Sequence, residues 1–219
     1  MRFILASGSP ARLATLRAAG VEPEVVVSGV DEESIRATSV PKLVAALAEV
    51  KARAVAAELH RPTATTPADA LVLTDALVLA NALVLGCDSL LELDGQPLGK
   101  PGDAATATNR WRQLRGRSAK LHTGHALLRV DDGEVTARRV EVGSTEVHFA
   151  DVTDAEIADY VATGEPLEVA GAFTIDGRGG WFIERISGDH HNVVGLSLPV
   201  LRRMLAEIGF GIADLPRPG

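Results

Sequence analysis

The chain has 219 residues, enough for one large domain or two small lobes. Apolar residues make up 46% of it, which supports a real core and excludes a disordered chain. Its 22 basic against 29 acidic residues give a net charge of −7, a poor balance for a general binder of nucleic acid, and a lone cysteine, Cys87, excludes an intrachain disulfide.

Residues 2–6 read as a short strand that runs into Ser7-Gly8-Ser9-Pro10 and then an apolar-periodic helix from Arg12 to Ala19. Ser9 is a natural N-cap and Pro10 suits the first helical position. The free N–H groups and dipole of a helix start favour an anion, and Arg12 adds positive charge, so this loop is a candidate phosphate site. Its ordinary alternative is a well-capped helix with nothing bound.

Val25 to Val27 reads as a second strand, followed by the acidic loop Asp31-Glu32-Glu33. Two such acids suit Mg²⁺, which takes one or two carboxylates plus phosphate oxygens; a solvated acidic turn is the alternative. Val40 to His60 is the clearest helix, with Leu43, Leu47, Val50, Ala54 and Ala57 at helical spacing and Lys51 on a later turn. Taken alone, Lys51 reads as an exposed charge.

Arg61 to Asp69 is a Pro/Thr/Ala linker. The block Ala-Leu-Val-Leu then occurs three times with a period of six, at residues 70–73, 76–79 and 82–85. The third copy leads into Gly86-Cys87-Asp88-Ser89 and is the expected functional strand, leaving 61–81 as an insertion. Strand ends in α/β sheets are common ligand sites, and a carboxylate at Asp88 can hold a divalent metal, take a proton from water, or simply cap a turn. Cys87 has no evident activating histidine and reads as a core residue.

Asp94-Gly95 marks a turn, and Gly99-Lys100-Pro101 a loop whose lysine can pair with phosphate or be a solvated surface charge. Ala104 to Leu114 reads as a helix, Lys120 to Val130 as a strand, Asp131-Asp132-Gly133 as a tight turn and Glu134 to Phe149 as the return. Thr153 starts a helix through Val161 with Glu156 at capping-box spacing. Residues 167–195 are Gly-rich, with a strand near Trp181 to Ile186, and Leu198 to Ile208 is the last helix. The alternation predicts an α/β fold with a mixed sheet. His190-His191, read on a strand, point to opposite faces and make a poor zinc pair; Gly177-Arg178-Gly179-Gly180 lacks Walker spacing and reads as a turn between strands.

In this order the segments resemble the Maf family of nucleoside triphosphate pyrophosphatases. The family's S-x-S-P-R-R opening reads Ser7 to Arg12 here, its Asp-Glu pair Asp31-Glu32, its helix lysine Lys51 and its strand aspartate Asp88. The G-K-P loop falls at Lys100, the T-G strand at Thr123-Gly124, Y-V-x-x-G-E-P at Tyr160 to Pro166, A-G-A at Ala170 to Ala172 and N-V-V-G-L at Asn192 to Leu196. The resemblance covers almost the whole chain as one domain. Ala11 departs from the first arginine of the pair, so one phosphate contact is lost or supplied elsewhere. Val169 departs from a lysine, Asp176 from a glutamine and Ala119 from a histidine, which leaves base preference open.

The resemblance implies an elongated mixed sheet with flanking helices, in two lobes around a nucleotide-binding cleft as in inosine triphosphate pyrophosphatases. It implies hydrolysis of a nucleoside triphosphate to monophosphate and pyrophosphate, with Mg²⁺ or Mn²⁺ held by Glu32 and Asp88. Asp88 is the expected general base or metal ligand. Ser7, Ser9, Arg12, Lys51, Lys100 and Thr123 are the expected substrate contacts. A homodimer is implied. The alternatives are a modified nucleotide as substrate, or a nucleotide-binding regulator of septum formation with little turnover. No nucleic-acid or membrane partner is expected: Asp75, Asn81 and Asp88 interrupt the longest apolar region, and the apolar run Phe3 to Ala6 is short for a secretory leader. The expected location is cytoplasmic.

Overall fold

The computed structural model of the chain describes residues 1–32, 34–59 and 81–219. His60, the 61–69 linker and the first two Ala-Leu-Val-Leu blocks lie outside the described residues. The third block opens β3 (Ala82–Leu93), the central strand of a mixed sheet. On one side β3 runs parallel to β1 (Arg2–Leu5), which pairs in turn with the two-residue β2 (Glu24–Val25). On the other side β3, β5 (Ser118–Asp131), β6 (Glu134–Phe149) and β7 (Ile183–Ser187) are successively antiparallel, and β4 (Gln96–Leu98) folds back on the end of β3. The β5–β6 hairpin turns at Asp132 and Gly133, both at positive φ, the conformation a tight hairpin requires.

Side-chain alternation divides the sheet into two faces. On one, Ile4, Val84, Ala126 and Leu128 pack against Ala48, Ala52, Val55 and Ala56 of α2 (Val40–Leu59). The helix lies so close that a Cβ at Gly86 or Gly124 would collide with the carbonyls of Ala48 or Val44. The buried residues of α2 are Val40, Val44, Leu47, Ala48, Lys51, Ala52, Val55 and Ala56; of the stripe expected from sequence Leu47 is buried, Leu43 and Ala54 are half-buried, and Val50 and Ala57 are exposed.

The other face carries two cores. Phe3, Leu5, Leu83, Leu85 and Leu127 pack with Leu16 of α1 (Pro10–Ala18) and with Leu201, Met204 and Leu205 of α6 (Leu198–Glu207). Further along the same strands, Leu91, Leu121, Val147 and Phe149 pack with α3 (Ala104–Leu114) and α4 (Asp154–Ala162). Trp111 centres this second core. It meets Phe149, Tyr160 and Phe182 edge-on at 5.7, 5.4 and 5.6 Å and donates from Nε1 to the Ala172 carbonyl at 2.8 Å. One long sheet thus carries two separate cores on this face.

The capping box of Thr153 and Glu156 forms as expected. The Gly-rich stretch differs. Residues Glu165–Glu168, Ala170–Ala172 and Arg178–Phe182 are 3-10 turns, and the strand begins only at Ile183. His190-His191 do not lie on a strand; they open the short helix α5 (His190–Val194), capped by Asp189. No helix among the described residues is long and apolar enough to cross a membrane.

Candidate active site

At the N-terminus of α1, Ser9 caps the helix by accepting from the Arg12 backbone at 3.5 Å, and the Ser9 N–H donates to Ser7 Oγ at 3.2 Å. The Arg12 side chain turns back across this loop. Its Nη1 donates to Ser7 Oγ at 3.0 Å, its Nη2 to Ser89 Oγ at 3.1 Å and its Nε to the Gly195 carbonyl at 2.8 Å. The chain of donors continues inward: Ser89 Oγ lies 2.9 Å from Thr123 Oγ1, and Thr123 donates to the Asn192 carbonyl at 2.9 Å. Since Thr123 spends its proton on that carbonyl, Ser89 donates to Thr123 and is left to accept from Arg12. Asn192 is itself fixed by donating to the Leu121 carbonyl at 3.1 Å and to Thr145 Oγ1 at 3.2 Å.

Asp88 projects from β3 to the opposite face, toward α2. Lys51 reaches it from the buried stripe, with Nζ 2.5 Å from Asp88 Oδ1 and 2.8 Å from Glu32 Oε1. Lys51 and Asp88 are only 9% and 8% exposed, so the lysine is not the solvated charge its alanine neighbours imply. Burial lifts the Asp88 carboxyl above its ordinary value; Lys51 and Arg12 pull it back down, and Glu32 pushes it up. Glu32, half-exposed, brings its carboxylate to the same nitrogen as Asp88.

Lys100 stands apart. It is well exposed, and its ion pair is with Glu168 at 3.8 Å. Its loop is nevertheless fixed, because the Gly99 carbonyl accepts from the Gly171 N–H at 3.1 Å and from Arg110 Nη1 at 2.5 Å. Thr123, expected to touch a ligand, is fully buried with its hydroxyl committed on both sides. Cys87 is buried and its thiol is pushed up to about 11, by burial above all, so it is an inert core group. His125 is buried and lowered to about 4, by burial first and then by Arg12; its neutral ring accepts from the Ser197 N–H at 2.8 Å at the start of α6.

Sequence reasoning missed Ser89, Asn192, Gly195 and Glu165. Ser89 adjoins Asp88 and points to the other face, so strand alternation places it toward Arg12. Glu165 accepts from Tyr160 Oη at 2.9 Å, Thr174 Oγ1 at 2.5 Å and the N–H groups of Arg178 and Gly179 at 3.0 Å each. The Arg178 and Gly179 amides of the Gly-rich turn are thus satisfied by a carboxylate, and the Gly180 N–H donates to the Gly177 carbonyl at 3.2 Å, so these three amides are spent within the fold.

Among the described residues no group of three or more His, Cys, Asp or Glu side chains is arranged to hold a metal. The pair Glu32 and Asp88 does converge on one point, the Lys51 ammonium. Two converging carboxylates suit a magnesium-like ion when phosphate oxygens and water complete its shell.

The chain is similar to known proteins over nearly its whole length. A curated nucleoside triphosphate pyrophosphatase of Salinispora tropica is 54% identical over 98% of this chain and 87% of its own length. Those of Streptomyces coelicolor and Rhodococcus opacus are 52% and 49% identical, over 99% and 97% of this chain and 95% of theirs. Residues 2–208 match the family described as Maf-like protein, and the chain belongs to that family.

Proposed function

We propose that the protein hydrolyses a nucleoside triphosphate to the monophosphate and pyrophosphate at the junction between its lobes. The observation that carries this reading is the Lys51 ammonium held between Asp88 and Glu32, beside the arginine-bound loop that caps α1. A triphosphate is a polyanion that repels nucleophiles, so its hydrolysis needs fixed positive charge and a base with a matched pKa. Arg12 supplies the fixed charge. Its three donors are oriented by Ser7, Ser89 and Gly195 before any ligand arrives.

Lys51 holds the Asp88 carboxylate ionised against the burial that disfavours its charge. An incoming triphosphate competes for the same ammonium. As Lys51 turns to phosphate, Asp88 is released to take a proton from the attacking water. Lys100, on its clamped loop, exchanges Glu168 for a phosphate oxygen. Ser7 and Ser9 shape the anion loop, and Thr123 acts through Ser89 on Arg12 rather than by touching substrate. In the alternative role for Asp88, as ligand rather than base, it would hold with Glu32 a divalent cation such as Mg²⁺ or Mn²⁺, which would neutralise phosphate oxygens and lower the pKa of a coordinated water.

The test is product identity. With a nucleoside triphosphate and Mg²⁺ or Mn²⁺, phosphorus NMR should show pyrophosphate and monophosphate in equal amounts. Inorganic phosphate and diphosphate instead would place the cut at the wrong anhydride. A homodimer in a cytoplasmic setting completes the proposal, and sedimentation velocity checks the assembly.

A further inference from the structure

The face that carries Asp88 continues past the end of α2. Asp88 stands opposite Gly124, and Gly124 is where the helix backbone presses on the sheet. The next same-face row is Leu90, His122 and Ser144, paired across β3, β5 and β6, with Glu92 one step further along β3. Same-face residues on a strand are about 7 Å apart, so this row begins one such step from Asp88. It also borders the lysine loop: a Cβ at Gly99 would sit 3.5 Å from Leu90 Cδ2. The row therefore lies within the span of a nucleotide whose phosphates are held at Asp88 and Lys100.

The polar groups in this row are ordered. His122 is only 4% exposed, with Nδ1 2.7 Å from Ser144 Oγ and Nε2 3.1 Å from Glu92 Oε2, although Nε2 is not aligned for a hydrogen bond. Burial, joined by Lys120, keeps the ring neutral against the pull of Glu92. A neutral ring has one N–H, and placing it on Nε2, toward the carboxylate, avoids two facing lone pairs. Nδ1 then accepts the Ser144 proton. Ser144 is exposed and Glu92 is partly exposed. This floor offers acceptors and a negative charge.

We propose that Glu92 and Ser144, positioned by His122, form the subsite for the nucleoside end of the substrate, accepting hydrogen bonds from two adjacent donors on it. Vicinal ribose hydroxyls and the amino-imino edge of a base both present such a pair. The inference rests on the hydrolase reading above.

The test compares KM and kcat for ribo- and 2′-deoxyribonucleoside triphosphates of one base, then for different bases on one sugar. Wild type is expected to discriminate on at least one axis by about tenfold or more. Glu92→Gln and Ser144→Ala should collapse that ratio by raising KM for the preferred substrate, with a smaller change in kcat. His122→Gln, which keeps an acceptor toward Ser144, should retain more discrimination than His122→Phe. Collapse on the sugar axis identifies the ribose, and collapse on the base axis identifies the base edge. Unchanged ratios in both variants, a uniform loss across all substrates, or a wild type with no preference on either axis would overturn the subsite. If wild type released pyrophosphate from none of them, the hydrolase reading would fail separately, and the same ratios would be read from calorimetric nucleotide affinities.

Discussion

Lys51 Nζ lies 2.5 Å from Asp88 Oδ1, and both residues are nearly buried, so neither charge can be altered without consequence for the other. In the proposed reaction Asp88 acts when ionised, and its ionised fraction falls as pH drops through a pKa that burial has raised. The acid limb of kcat/KM should therefore lie above the ordinary aspartate range. Lys51→Met removes the stronger of the two charges that pull this pKa down, so the limb should move to higher pH by at least about one unit. A pH–rate profile of the variant that superimposes on wild type would show that Asp88 is not the titrating group.

Arg12 is held by geometry as much as by charge. Its fork reaches two hydroxyls and a carbonyl on three separate segments, which a lysine cannot do. Arg12→Lys should raise KM for the triphosphate by roughly 10- to 100-fold, since each charge-assisted hydrogen bond is worth about 1.5–3 kcal/mol. Ser89→Ala leaves the arginine in place but loosens it, and should raise KM several-fold with kcat less affected. Steady-state kinetics at constant ionic strength distinguish the two. A lysine variant as good as wild type would reduce Arg12 to a point charge.

Glu165 ties helix α4, Thr174 and the 178–179 turn together through four accepted hydrogen bonds. Glu165→Ala strands those donors. The loss should be about 2–4 kcal/mol, because each unsatisfied buried donor costs about 1–3 kcal/mol and part of this turn can reach water. In a chain of this size that lowers Tm by roughly 5–15 °C. Thermal denaturation followed by circular dichroism measures it. Since Glu165 is hydrogen-bonded to Tyr160 of the Trp111 core and not to Lys51, Asp88 or Arg12, the variant's KM at a temperature where it is folded should change less than its Tm.

Much of the fold was legible because it follows local rules. The Ser9-Pro10 start, the Thr153–Glu156 box and the Asp132-Gly133 turn are short-range chemistry, and all three form. The apolar run ending at Asp88 marked the central strand for the same reason. Lys51 was harder. Its neighbours Val50 and Ala52 made an exposed face plausible, yet Val44, Ala48 and Val55 at spacings of seven, three and four put it on the buried stripe. Ser89 and Asn192 were invisible for a different reason. Strand alternation gives the face a residue points to, but only the pairing of β3 with β5, together with the docking of α5, brings Ser89 and Asn192 to the same threonine. Residues 165–182 form 3-10 turns tied by Glu165 and Trp111, contacts too distant in sequence for any periodicity to register.

In the proposed reaction Asp88 performs the proton or ligand chemistry of triphosphate hydrolysis. The most direct measurement is pyrophosphate release at saturating nucleotide and divalent cation, wild type against Asp88→Asn, with calorimetry confirming that the variant still binds nucleotide. Release should slow by roughly 10²- to 10⁴-fold with binding retained. A folded Asp88→Asn protein that releases pyrophosphate at the wild-type rate would contradict it.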